Sequence, residues 1–214
     1  MKIHNKYIRL NQKDRLYNLK VPIIGLTGGI ATGKSTVREY LEGKQHPVIC
    51  ADQLVKKIYL LNDSIDFVKE NAPECIKNNS IDFKVLRKNF FNSPVLKEKI
   101  ENYIYKQLPL IFMEHIDGQE YIIYDVPLLF EKSLESFFDL TICVYSSQET
   151  QLNRLIKRDQ ISEQLAKKII SAQIPIEEKV RKSKFVIDNS SSLDFLKKGI
   201  DQLEKEIFYD ESAS

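Results

Sequence analysis

Gly28-Gly29-Ile30-Ala31-Thr32-Gly33-Lys34-Ser35 is a complete G-x-x-x-x-G-K-[ST] phosphate-binding loop, and its flanks agree with its letters. The apolar run Val21-Pro22-Ile23-Ile24-Gly25-Leu26-Thr27 precedes it, and the helix-like Thr36-Val37-Arg38-Glu39-Tyr40-Leu41 follows. A buried strand that feeds a loop at a helix N-terminus aims backbone N–H groups at phosphate oxygens. Four of the chain's seven glycines (Gly25, Gly28, Gly29, Gly33) fall in this window, so the geometry there is being specified locally. A glycine-rich turn with an ordinary surface lysine is the bland alternative, and the strand and helix on either side argue against it. The motif implies a nucleoside triphosphate ligand.

Further strand-like runs occur at Pro47 to Cys50, Tyr121 to Asp125, Leu140 to Tyr145 and Phe185 to Asp188. They are short, apolar and rich in Ile and Val, as expected when helices cover both faces of a parallel sheet. Helical patterns lie between them. One runs from Glu149 to Arg158 behind a capping box Ser146-x-x-Glu149, and one from Ser162 to Ser171 behind an N-cap at Ser162. A closing helix is expected over 191 to 208, with Ser191-x-x-Asp194 at its start. Alternating strands and helices predict an α/β fold, a five-stranded parallel sheet flanked by helices. The gap from about 55 to 118 carries only helical signals, including Ser93-Pro94 as N-cap and first helical residue, and reads as a helical insertion. Residues 1–20 read as an extension, and 21–214 as one domain that contains the insertion.

The chain has 214 residues, 32 basic and 30 acidic, for a net charge of +2. That balance gives no reason to expect nucleic acid or an anionic membrane as partner. Cys50, Cys75 and Cys143 are odd in number and widely spaced, which points to the reducing cytosol rather than a disulfide framework. No apolar stretch reaches membrane-span length, and the polar, mostly basic first twenty residues do not read as a secretory signal. The expected state is a monomer or weak homo-oligomer.

Candidate chemistry follows from the loop. Lys34 would reach the β and γ phosphates of the nucleotide, and the Ser35 hydroxyl would ligate Mg2+. Asp52 follows the Val48-Ile49-Cys50 run by one spacer, so it is either a carboxylate that accepts a proton from an acceptor hydroxyl or an N-cap for the next helix. Asp125 ends an apolar run and is either a magnesium-holding acid or a turn residue ahead of Val126-Pro127. Arg154 and Arg158 are four apart on one helix face, where they either clamp phosphate oxygens or face solvent. Arg181 and Lys182 are similarly open. His4, His46 and His115 lie near no acid or thiol at ligand spacing and receive no role.

Taken together, several segments resemble the dephospho-CoA kinase family. They are Gly25 through Val37, Ala51-Asp52-Gln53-Leu54, Asp125-Val126-Pro127-Leu128-Leu129-Phe130-Glu131, Glu149 through Arg154 with Arg158-Asp159, Ala172-Gln173, and Val186-Ile187-Asp188-Asn189. The resemblance implies ATP-dependent phosphorylation of the ribose 3′-hydroxyl of dephospho-CoA, with Asp52 as catalytic acid group beside that hydroxyl. It implies nucleotide contacts along Gly28, Gly29, Ile30, Ala31, Thr32, Gly33, Lys34, Ser35 and Thr36, with Asn189 beside the adenine. It further implies acceptor contacts at Asp52, Arg87, Pro127 and Leu128, metal contacts at Ser35 and Asp125, and a lid within the domain at about 154–182 with Arg154 and Arg158 as its phosphate-binding residues. Three departures stand out: Ala31-Thr32 replaces the usual Gly-Ser, Cys50 replaces a frequent Asp, and Leu108-Pro109 replaces a usual His-Pro. The rivals are another small-molecule kinase and a nucleotide-dependent regulatory ATPase. Against a GTPase switch there is no Asn-Lys-x-Asp motif, and against a transporter ATPase no Ser-Gly-Gly signature.

Overall fold

The run Ile23–Gly28 is buried at every residue, as a strand covered on both faces must be. The computed structural model describes residues 1–210; the end of the expected domain, 211–214, lies outside the described residues. In chain order the elements are β1 (Lys2–Ile3), β2 (Ile23–Gly28), α1 (Lys34–Gly43), β3 (Val48–Cys50), α2 (Ala51–Tyr59) and α3 (Asn62–Asn71). There follow β4 (Ile76–Lys77), β5 (Ser80–Ile81), α4 (Phe83–Asn92), α5 (Pro94–Met113), β6 (Ile122–Asp125) and β7 (Leu140–Tyr145). The chain continues through α6 (Gln148–Asp159), α7 (Glu163–Ser171), α8 (Ile176–Lys182), β8 (Phe185–Asp188), α9 (Leu193–Ile207) and β9 (Phe208–Tyr209). Contacts divide the described chain into two units, Met1–Ile49 with the segment from Gly118 onward, and Cys50–Asp117. The division falls at Cys50 rather than near 55, so Asp52 belongs to the second unit.

The first unit is built on a five-stranded sheet in the order β3-β6-β2-β7-β8. Strand β2 pairs in parallel with β6 (Ile24 opposite Ile123) and with β7 (Leu26 opposite Ile142), and β7 pairs in parallel with β8. Connections from β2 leave toward β3 on one side, whereas the chain leaving β6 passes to β7 on the other. The carboxyl end of β2 is therefore the switch point at which open α/β sheets bind ligands. Ile24, Leu26, Val37, Leu41, Ile123, Ile142, Leu196 and Ile200 fill one core. Leu196, Ile200 and Ile207 recur on one face of α9 at helical spacing and are buried. Burial of each contributes about 1.5–3 kcal/mol.

The expected extension is part of this unit. Its β1 pairs antiparallel with β9, Ile3 opposite Phe208, and Ile3 and Tyr7 join the core. Arg15 is buried against Asp139, which sits immediately before β7.

In the second unit α5 places Leu96, Ile100, Ile104, Leu108, Ile111 and Phe112 in the interior at three- and four-residue spacing. Leu108, where the resemblance expects His, is thus a core residue. Ser93 caps α5 by accepting the Leu96 N–H at 3.2 Å. The helical reading of 55–118 missed a hairpin: β4 and β5 pair antiparallel around Asn78-Asn79. Both asparagines have positive φ, 50° and 57°, which is the type I′ geometry that Asn tolerates.

Two expected caps shift by one residue. Ser147, not Ser146, caps α6 by accepting the Thr150 N–H, and Ser192, not Ser191, caps α9 by accepting the Phe195 N–H. In each case the serine adjoining the helix holds the extended backbone that a cap requires. Ser162 caps α7 as expected.

Candidate active site

The phosphate-binding loop joins β2 to α1, whose first residue is Lys34. Gly33 has φ 87°, and a Cβ there would collide with the Asn189 amide nitrogen, so both conformation and space demand glycine. Ala31 also lies in the left-handed region, with φ 59°. Because it carries a Cβ, it stores strain of about 1–2 kcal/mol where the resemblance expects glycine.

The far side of the loop is held by side chains. Thr32 is buried and its hydroxyl donates to the Gly29 carbonyl at 2.9 Å. The Thr32 carbonyl accepts the Asn189 side-chain N–H at 2.8 Å and Arg154 Nη1 at 3.4 Å, and Arg154 Nη2 donates to the Asn189 carbonyl at 2.9 Å. Arg154 thereby bridges α6, the loop and the end of β8. The Ile30 N–H donates to Gln173 Oε1 at 2.8 Å, which ties the α7–α8 connection to the loop. A cavity of about 350 Å³ opens there, lined in part by Gly29, Gln148, Gln151, Gln173 and Ile176.

Charge is concentrated at the carboxyl ends of β2 and β6. The Lys34 ammonium pairs with Asp125 Oδ1, and Arg38 Nη1 lies 3.7 Å from Asp125 Oδ2. Asp125 is 1% exposed and Lys34 14%, so the pair is weakly screened. Asp125 is not a turn residue: it ends β6, and the next amide, Val126 N–H, still donates across to the Leu26 carbonyl at 2.9 Å. Ser35 is exposed and Thr36 half-buried in the first turn of α1. Beyond β6 the Pro127 carbonyl accepts the Thr27 hydroxyl at 3.3 Å, and Leu128 is exposed.

Arg158 is arranged differently from Arg154. It is exposed, and its guanidinium forks onto Asp159 at 2.7 and 2.9 Å. Its bond to Asp159 raises its pKa and lowers that of Asp159. The shared helix face does not bring it to the loop with Arg154; its hydrogen bonds go to the neighbouring carboxylate.

In the second unit Asp52 is the second residue of α2 and is exposed. The N-cap position is Cys50, so the capping alternative for Asp52 does not hold. Placed in the first turn, its carboxylate still interacts favourably with the helix dipole. Arg87 is exposed on α4.

Sequence reasoning missed Lys179. On α8 it is completely buried, 2.7 Å from Glu131 Oε1, and it donates to the carbonyls of Gly28 at 3.1 Å and Pro127 at 3.4 Å. Its surroundings, Ile176-Glu177-Glu178-Lys179-Val180-Arg181-Lys182, read as a solvated charged helix. Only the apolar spacing of Ile176 and Val180 hinted that Lys179 shares their side.

Residues 22–194 match the family model described as dephospho-CoA kinase. The chain is 38% identical to a Fusobacterium nucleatum dephospho-CoA kinase over 86% of this chain and 97% of that one. It is 31% identical to a Listeria monocytogenes dephospho-CoA kinase, over 83% and 92% of the two chains. Among solved structures, a Thermus thermophilus protein superposes with a TM-score of 0.78 at 27% identity, over 88% of this chain and 99% of that one. The dephospho-CoA kinase of Campylobacter jejuni superposes with a TM-score of 0.63 at 26% identity, over 86% and 96%. With the loop, the sheet order and these relatives in agreement, this chain belongs to the dephospho-CoA kinase family.

Proposed function

We propose that this chain transfers the γ-phosphoryl group of MgATP to the ribose 3′-hydroxyl of dephospho-CoA, with Asp52 as the base. The observation that carries the reading is the strand–loop–helix phosphate cradle with Lys34 and Asp125 paired at its mouth, in a chain of this family. Backbone N–H groups at the start of α1 bind the β phosphate, and the Lys34 ammonium exchanges its bond to Asp125 for phosphate oxygens. The bond from the γ phosphorus to the leaving β-γ bridging oxygen breaks as the 3′-oxygen bonds to phosphorus, and the hydroxyl proton passes to Asp52. Lys34 and Arg154 offset the charge that develops on the transferring group. Arg158 joins them when the lid closes and its fork to Asp159 opens, and closure excludes water that would otherwise hydrolyse ATP. Asn189 supports the adenine end, and Arg87, Pro127 and Leu128 contact the acceptor.

Ser35 and Asp125 would hold Mg2+. The donor set fits: one hydroxyl and one carboxylate suit an ion that keeps waters and phosphate oxygens, and no three-ligand protein cluster occurs among the described residues. When bound, the ion would supply positive charge that neutralises the phosphates. Cys50, Cys75 and Cys143 are not joined in disulfides among the described residues, which supports a reducing, cytoplasmic setting. Among the described residues no helix is long and apolar enough to cross a membrane. We take the working form to be a monomer or weak homo-oligomer.

The role of Asp52 is tested by Asp52→Asn. Turnover should fall by about 10²–10⁴-fold, the range for loss of a general base, with ATP affinity retained. Full turnover by the variant would remove Asp52 from the mechanism.

A further inference from the structure

We propose that Lys179 is a positioning residue for phosphoryl transfer: it locks the entry of the phosphate-binding loop to the segment that follows Asp125. The proposal rests on the kinase reading above. Lys179 spends its three N–H donors on three oxygens, Glu131 Oε1, the Gly28 carbonyl and the Pro127 carbonyl. Those oxygens belong to the end of β2 and to the segment beyond β6, the two places that present the loop and Asp125. Glu131 Oε1 also accepts the Ile174 N–H at 3.1 Å, so the same carboxylate anchors the α7–α8 connection. The Thr27 hydroxyl shares the Pro127 carbonyl with Lys179, which closes a ring of contacts from β2 to the β6 segment and back.

A buried ion pair is a weak source of stability, since well-packed apolar groups of similar volume do as well. What the pair supplies in its place is fixed geometry. The half of the loop that precedes α1 is held independently, by Asn189 and Arg154 on the Thr32 carbonyl. The two halves of the loop are therefore held by different side chains: Asn189 and Arg154 hold the anion cradle, and Lys179 holds the register between the loop entry and the Asp125 segment.

The test replaces both charges together, Lys179→Met with Glu131→Gln, so that neither is left buried alone. With ATP and dephospho-CoA, kcat should fall about 10–100-fold, the effect of misplacing a reacting group by around 1 Å, while the KM for ATP stays within about threefold of the parent. Asn189→Ala should show the converse, a raised KM for ATP with a smaller change in kcat. Should the double variant fail to fold, Glu131→Gln alone retains an acceptor for Lys179 and the Ile174 N–H. It should lower kcat several-fold at constant KM for ATP. Unchanged kcat, or kcat and ATP affinity worsening in step, would overturn the assignment. The kinase reading fails separately, and only if the parent protein itself shows no dephospho-CoA-dependent turnover.

Discussion

The two ends of the central sheet bury charge in opposite ways. At the amino ends, Asp139 is wholly enclosed and accepts Arg15 Nε at 2.7 Å, Arg15 Nη2 at 3.2 Å and the amides of Arg9, Leu10 and Ile23, each at 3.0 Å. Burial acts to raise its pKa, and the Arg15 guanidinium with the Ile23 and Leu10 amides outweighs that, leaving it below the usual carboxylate value. At the carboxyl ends, Lys34 and Asp125 hold each other where phosphate and metal are expected. Glu131 Oε2 and Ser146 Oγ are buried there without a partner among the described residues. Saturated polar burial fixes the fold, whereas polar burial with spare bonding capacity is available for ligands.

The largest effect expected from this contrast is on catalysis. Lys34→Met should lower kcat/KM by about 10³-fold or more, as loss of a charge-stabilising donor does, and should lower the melting temperature less than loss of Arg15 does, because Arg38 Nη1 still lies 3.7 Å from the buried Asp125 carboxylate. A steady-state assay beside a thermal melt checks both halves. Arg15→Met is the mirror case. It strands the Asp139 carboxylate and should cost about 3 kcal/mol, the lower end for a broken buried pair because three amides remain, or a melting point lower by about 6–12 °C. Turnover at low temperature should be unaltered. Lost turnover in a still-folded Arg15→Met protein would erase the distinction between the two ends.

Ala31→Gly sharpens the picture within the loop. Releasing the strained φ should stabilise the protein by up to about 1 kcal/mol, the left-handed penalty less the entropy of the added glycine. Denaturant melts would show it, and a destabilised variant would mean that the alanine methyl packs usefully. The smallest effect lies at His46, which is buried between the Tyr121 hydroxyl at 2.6 Å and Glu204 at 2.9 Å. Burial lowers its pKa against the opposing pull of Glu204. The unfolded chain therefore binds a proton first as pH falls, and stability declines below about pH 6.5. His46→Gln should flatten that slope between pH 7 and 5, and an unchanged slope would assign it to other groups.

The loop, all five sheet strands and the caps Ser93 and Ser162 were legible because each is encoded within a few neighbouring residues. The slips had local causes too. Ser146 stands beside Ser147 and Ser191 beside Ser192, and residue type cannot choose between adjacent serines. Of the two readings open for Asp52, the cap fails because α2 starts at Ala51 directly after β3. What pattern could not reveal were partners far apart in the chain. Arg15 meets Asp139 across 124 positions and Lys179 reaches Gly28 across 151. Both basic residues lie in segments whose composition suggests solvent exposure, and only the tertiary fold buries them.

The carboxyl end of the sheet is proposed as the phosphoryl-transfer site of a dephospho-CoA kinase. Its most direct test is ADP release by the purified protein with MgATP, with and without dephospho-CoA, and the mass of the product. Acceptor-dependent ADP release matched one-to-one by CoA is the expected result. ATP binding with ADP release indifferent to dephospho-CoA would contradict it.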